Sequence, residues 1–186
     1  MRHGTLTTSR KKMMEFKPHS IEFAAAFAKL KNVPEILDNG YDKTPNPYTE
    51  KDAIEFINKE IGKKPAERFL IYWNNEVAGE IGITLKDDVF RLTAEIGYFI
   101  SKKFWGKGLA TQAVKKMTEY TFSHFDVVRI VAGVFDFNTS SMKVLEKNGF
   151  YLESVRKNAV LKNGKIIDDY IWVKLKESGQ NNTGMN

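Results

Sequence analysis

The chain has 186 residues, of which 42% are hydrophobic and 28% charged, and it carries a formal net charge of +6 with no cysteine. This composition fits one ordinary globular domain, leaves no apolar run near the roughly 20 residues that cross a bilayer, and excludes disulfides, thiol nucleophiles and cysteine-ligated metal. The basic excess suits a polyanionic partner, either nucleic acid or a phosphorylated cofactor.

Residues 1–12 are polar and basic and read as a flexible arm, without the apolar segment of a secretory signal. Cytoplasmic location is the matching expectation. A first strand is expected from Met13 to Pro18. A helix then starts, with Ile21, Ala24, Ala25 and Ala28 spaced for burial. Glycine and proline punctuate the stretch from Asn39 to Tyr48, so a loop is expected there, bordering an acceptor site. Thr49 and Asp52 form a capping box for a helix reaching about Lys63, with Ala53, Phe56, Ile57 and Ile61 inward.

Strands follow at Arg68–Trp73 and Val77–Leu85, around an Asn74-Asn75 turn. The next strand alternates. Leu92, Ala94, Ile96, Tyr98 and Ile100 share one face, and Thr93, Glu95, Gly97 and Phe99 the other. A glycine-spaced loop, FWGKGLA, leads into a helix with Leu109, Ala113, Met117, Tyr120 and His124 on one stripe. Gly106 and Gly108 allow tight turning beside the unpaired N–H groups of the helix start, which suits a phosphate. The spacing matches neither a P-loop nor a dinucleotide fingerprint, because no Gly-Lys-Ser/Thr closes it and Thr111 occupies the third small position.

Val127–Phe135 reads as a buried strand, and the connection through the helix makes it parallel to the Ala94 strand. Asn138 then caps a helix that Gly149 ends. Two final strands, Phe150–Arg156 and Ile166–Lys174, meet around Asn163-Gly164. Residues 177–186 are polar and are expected to be disordered, leaving 13–176 as a single domain.

Three motifs carry a family resemblance: AEIGYFISKKFWGKGLATQAV, FDFNTSSMKVLEKNGF and NGKIID. Together they resemble the GCN5-related N-acetyltransferases (GNAT), in the branch that contains the ribosomal-protein N-terminal acetyltransferases. The resemblance implies an α/β (α+β) fold. Its mixed, mostly antiparallel sheet has about six to seven strands and about four flanking helices, with a splay between the strands at 92–100 and 128–135. It implies acetyl-CoA as cosubstrate, no metal, and transfer to a primary amine by direct attack. The acceptor would be a protein N-terminus or a small amine, and the protein a monomer or homodimer. The cofactor-binding positions it implies are Phe99, Ile100, Trp105, Gly106, Lys107, Gly108, Leu109, Ala110, Thr111, Asn138, Ser141 and Lys143. Trp105 stands where many relatives carry Arg or Gln.

An acetyl thioester is already activated, so the chemistry asks for a base or water chain, a polarising donor, and a group at sulfur. Glu95 is the candidate base, directly or through water, and a raised pKa would suit that task. Its other reading is an orderer of water or a partner for the ammonium. Ser141 is the candidate at sulfur, by resemblance to enzymes of the same branch, and otherwise a plain first-turn helix serine. Asn138 is a cap, a pantetheine contact, or both. Tyr98 is an alternative donor, set by alternation on the face opposite Glu95. The helix SMKVLEKNGF lacks the tyrosine that many wider-family members use. Lys102, Lys103, Lys107 and Lys143 lie beside the two loops, and Asp168 matches an often acidic position. His3, His19 and His124 build no site, and His124 is expected to pack along its apolar stripe.

Two other functions stay open on sequence alone. One is a non-catalytic acyl-CoA-binding regulatory protein; the other is a nucleic-acid-binding protein, suggested by charge only.

Overall fold

The computed structural model describes residues 13–177; the arm at 1–12 and the tail beyond Glu177 lie outside the described residues. The elements run β1 (Met14–Pro18), α1 (Ala24–Lys31), α2 (Pro34–Asp38), α3 (Glu50–Glu60), β2 (Arg68–Trp73), β3 (Glu76–Leu85) and β4 (Thr93–Ile100). They continue with α4 (Leu109–His124), β5 (Arg129–Phe135), α5 (Thr139–Lys147), β6 (Tyr151–Lys162) and β7 (Lys165–Leu175). One seven-stranded sheet has the order β1-β2-β3-β4-β5-β7-β6, and its only parallel pair is β4 with β5.

The sheet therefore has the expected mixed, mostly antiparallel form. The described α-helices are five rather than about four. The extra one, α2, is five residues long, too short to show a helical period; Pro34 opens it after an extended Val33. Two turns hold the hairpins tightly. Asn74 and Asn75 (φ 50° and 65°) join β2 to β3, and Asn163 and Gly164 (φ 48° and 74°) join β6 to β7, the left-handed pair that matches strand twist.

Helices cover both faces. On one, Leu109, Ala113 and Met117 of α4 and Leu145 of α5 pack on Ile81, Ile83, Ile96 and Ile130. On the other, Phe27 and Ala28 of α1 and Ala53 and Ile57 of α3 pack on Leu70 and Tyr72. Each fully buried large apolar side chain contributes about 1.5–3 kcal/mol. The capping box of α3 forms as expected, with Thr49 accepting from the Asp52 N–H and the Asp52 carboxylate accepting from the Thr49 N–H at 2.7 Å.

Three burial expectations fail. Ile21 and Ala25 are exposed, because residues 21–23 form a 3-10 turn and the 3.6-residue phase begins only at Ala24, which brings Phe27 inward. Ile61 is 47% exposed because α3 ends one residue before it. His124 is exposed and stacks on Tyr120, ring centroids 4.3 Å apart, at the solvent end of the α4 stripe.

The feature that makes a site is the β4–β5 pairing. It covers only Thr93, Ala94 and Glu95 against Arg129, Ile130 and Val131. Beyond that, β4 stays on β3 and β5 stays on β7, so the sheet opens between them.

Candidate active site

Two cavities meet at this opening. The first, about 480 Å³, is lined by Tyr98, Phe99 and Ile100 of β4, by Phe104, Trp105, Gly106 and Gly108 of the loop, by the first turn of α4, and by Asn138, Ser141 and Val144 on the α5 side. The second, about 380 Å³, is lined by Tyr41, Glu95, Gly97, Gly133, Arg156 and Asp169 among others. They share Asn39, Tyr98, Asn138 and Ser141.

The loop of the first cavity is built from backbone. Gly106 and Gly108 both have φ 72°, a left-handed conformation that residues with a Cβ avoid. A Cβ on Gly106 would meet nothing within 4 Å, so its surface is open. The first helical bond of α4 runs from the Gln112 N–H to the Gly108 carbonyl, so the N–H groups of Leu109, Ala110 and Thr111 precede it. Trp105, exposed by 54%, donates its indole N–H to the Ile100 carbonyl at 2.7 Å and ties the loop to the end of β4. Lys107 and Lys143 are exposed and do not line this cavity, whereas the other ten positions expected to bind cofactor do. Lys102 and Lys103 are both paired, Lys102 with Glu35, which lines this cavity, at 2.6 Å, and Lys103 with Glu76 at 2.5 Å.

Asn138 caps α5: its Oδ1 accepts from the Ser141 N–H at 3.1 Å. Its amide nitrogen donates to Asn39 Oδ1 at 2.7 Å. Asn39 belongs to a strap that crosses the opening. Tyr41 donates to Glu95 at 3.1 Å, and Lys162, at the tip of the β6–β7 hairpin, donates to the Gly40 carbonyl at 2.9 Å and to Asp42 at 2.6 Å. The Asn39–Tyr48 loop thus borders the second cavity.

Glu95 and Ser141 line this second cavity together, but the electrostatics of Glu95 are not those of a base with a raised pKa. Burial raises the carboxyl pKa. The hydrogen bond and charge of Lys86, with help from Tyr41 and Arg156, outweigh it and hold Glu95 below its ordinary value. Lys86 Nζ is 2.5 Å from Glu95 Oε2. Burial, with the Glu95 charge, pushes the Tyr41 hydroxyl up to about 12, so it remains a donor.

On the opposite face Tyr98 reaches α5, its hydroxyl 2.8 Å from Ser141 Oγ. Alternation does place Tyr98 opposite Glu95, and that is the face on which α5 packs. Asp168 does not line the second cavity. It accepts from Lys157 at 2.7 Å and from the Asn158 N–H at 2.9 Å, while its neighbour Asp169, buried over Gly133 and paired with Arg156, lines the cavity. Tyr41, Lys86, Arg156 and Asp169 are site residues that the sequence did not single out. Among the described residues no group of three or more His, Cys, Asp or Glu could hold a metal ion, and no helix is long and apolar enough to cross a membrane.

A family model for an acetyltransferase (GNAT) domain matches residues 14–151. An uncharacterized N-acetyltransferase, p20, of Bacillus licheniformis is 34% identical over 136 residues, 70% of this chain and 76% of that protein. The uncharacterized N-acetyltransferase YnaD of Bacillus subtilis is 27% identical over 92% of this chain and 97% of its own length. Among solved structures, RimL, a ribosomal α-N-protein acetyltransferase in complex with coenzyme A, superposes with a TM-score of 0.77 at 21% identity, covering 87% of this chain and 93% of that one. That likeness is one of fold.

Proposed function

The chain belongs to the acetyltransferase (GNAT) family and is an acetyl-CoA-dependent N-acetyltransferase, and we propose that it acetylates a primary amine by direct attack in a ternary complex. The observation that carries this reading is the opening of the sheet after Glu95 and Val131, with a glycine loop and helix start on one side and a polar cavity on the other. The left-handed, uncovered glycines and the apolar gap fit a pyrophosphate followed by a slender arm. Coenzyme A would be held by Phe99, Ile100, the Trp105–Thr111 segment, Asn138 and Ser141, with Lys107 and Lys143 adding charge from solvent.

The cosubstrate supplies an activated acetyl thioester. The chain orients what meets it. Glu95, Tyr41 and the Arg156–Asp169 pair receive the acceptor in the second cavity. Glu95 stays ionised and accepts the surplus amine proton through water, and Ser141 stands on the sulfur side of the junction. The acceptor is a protein N-terminal amine, as the name of the structural neighbour RimL suggests, or a small amine that fills the polar cavity.

The deciding experiment incubates the protein with labelled acetyl-CoA and a panel of free N-terminal peptides, amino acids, polyamines and aminoglycosides, read by mass spectrometry. Acetylation of one class identifies the acceptor. Calorimetric absence of coenzyme A binding would remove the reading.

A further inference from the structure

We propose that Tyr98 is a positioning residue for the leaving sulfur: its hydroxyl donates to Ser141 Oγ and aims the Ser141 proton at the junction of the two cavities. This rests on the acetyl-transfer reading above and assigns a task to a residue that reading does not use.

The geometry has three parts. The two oxygens are 2.8 Å apart, although the residues stand 43 positions apart in the chain. Both side chains line both cavities, a property shared only with Asn39 and Asn138. The Ser141 N–H is already committed to Asn138 Oδ1, which fixes the backbone that carries the hydroxyl.

A serine has one proton and two lone pairs. If Tyr98 donates, Oγ accepts and the serine proton is free for a third group. If Ser141 donated instead, the phenol proton would find, among the described residues, no acceptor nearer than the Ser141 carbonyl at 3.4 Å, close to the limit of a hydrogen bond. Burial pushes the Tyr98 phenol up to about 12, against the opposing effect of the Ser141 bond, so Tyr98 is a neutral donor across the working range.

A thiol, which ionises near ~8.5, is a stronger acid than this raised phenol, so Tyr98 does not hand its proton to the sulfur. The pair acts by hydrogen bonding, in the manner of an oxyanion hole. The new C–N bond forms and the C–S bond breaks. Its electron pair stays on sulfur, facing the Ser141 proton. The amine proton leaves through water on the Glu95 side, and sulfur takes a proton from water afterwards.

The test uses coenzyme A itself and needs no acceptor. The ionisation of the bound thiol is followed by the ultraviolet absorbance of the thiolate against pH in wild type, Tyr98→Phe, Ser141→Ala and the double variant. Desulfo-coenzyme A serves as the binding control. In wild type the bound thiol should ionise at lower pH than free coenzyme A. Each single substitution should raise that midpoint by about 0.5–1 unit, a three- to tenfold change, and the double variant should go no further than Ser141→Ala. Desulfo-coenzyme A should bind Tyr98→Phe as tightly as wild type, and melting curves should show that all four proteins are folded. An unshifted thiol in wild type, or shifts that simply add, would overturn the proposal. A protein that binds neither ligand would instead remove the acetyl-transfer reading.

Discussion

Lys86 Nζ lies 2.5 Å from Glu95 Oε2, at the turn where β3 hands the chain to β4, and against the effect of burial this contact holds the Glu95 carboxyl below its ordinary pKa. Both side chains are about a third exposed, 39% and 31%, so the pair contributes only about 0.5–1 kcal/mol after solvent screening. Because the folded pKa is depressed, the stabilisation is present above the ordinary carboxylate value and is lost as pH falls through the depressed one. Lys86→Met should leave burial as the dominant influence and move the Glu95 titration upward. Carboxyl NMR titration of both proteins checks this, and melting curves should show the gap between them narrowing as the medium becomes acidic. An unmoved Glu95 resonance would mean that Lys86 does not control it.

The glycine loop makes a sharper prediction when paired with a control. Gly108 and Gly164 share a left-handed backbone, φ 72° and 74°, and neither faces a close neighbour. Valine at either site should cost about 1–2 kcal/mol of backbone strain. Gly108→Val should also abolish coenzyme A binding, whereas Gly164→Val, in the β6–β7 turn, should bind normally. Calorimetry on both variants, beside their melting temperatures, separates strain from ligand contact. Equal affinities would remove the loop from the binding site.

Asn138 holds two partners, and an aspartate can keep only one. The Asn39 side-chain amide already donates to the Glu35 carbonyl at 2.7 Å, so it presents oxygen to Asn138. Asn138→Asp keeps the α5 cap and should lose little stability, while setting oxygen against oxygen at the strap. Asn138→Ala should lose the cap as well, about 1 kcal/mol. Hydrogen exchange across residues 38–42 should speed up in both, and only the alanine variant should melt clearly lower. Unchanged exchange in Asn138→Asp would show that the strap is held elsewhere.

What the sequence made legible is what lies close along the chain. Period two placed Glu95 and Tyr98 on opposite faces, and local spacing gave the Thr49 capping box, the Asn138 cap and both hairpin turns. Alternation does not say which helix covers the Tyr98 face, because that is a tertiary fact; α5 covers it. The pairs Tyr41–Glu95 and Tyr98–Ser141 span 54 and 43 residues, and no periodicity reaches so far. Asp168 and Asp169 differ by one step on a strand, which exchanges faces. The register shift between Arg156 and Val160 in β6, opposite them, hides the choice from the sequence.

The depressed Glu95 pKa turns the pH profile into a reading of the acceptor. Glu95 is ionised throughout the range in which any free amine exists, so its own titration cannot limit the reaction near neutrality. The rise of kcat/KM with pH should then follow the acceptor amine, with a midpoint near ~8 for an α-amino group and near ~10 for a lysine-like amine. Glu95→Gln removes the charge while leaving Tyr41 an oxygen to donate to. If Glu95 accepts the surplus proton through water, turnover should fall by at least about 100-fold and recover partly at high pH, where more amine is already neutral. The midpoint should not move. If Glu95 only attracts the ammonium, KM should rise instead, with kcat nearly unchanged. Steady-state profiles of both proteins, at saturating acetyl-CoA and with the acceptor found in the panel, distinguish these outcomes. A wild-type inflection between pH 5 and 7 that Glu95→Gln abolishes would show a raised carboxyl pKa in the working complex, and would mean that the Lys86 contact breaks when the acceptor binds.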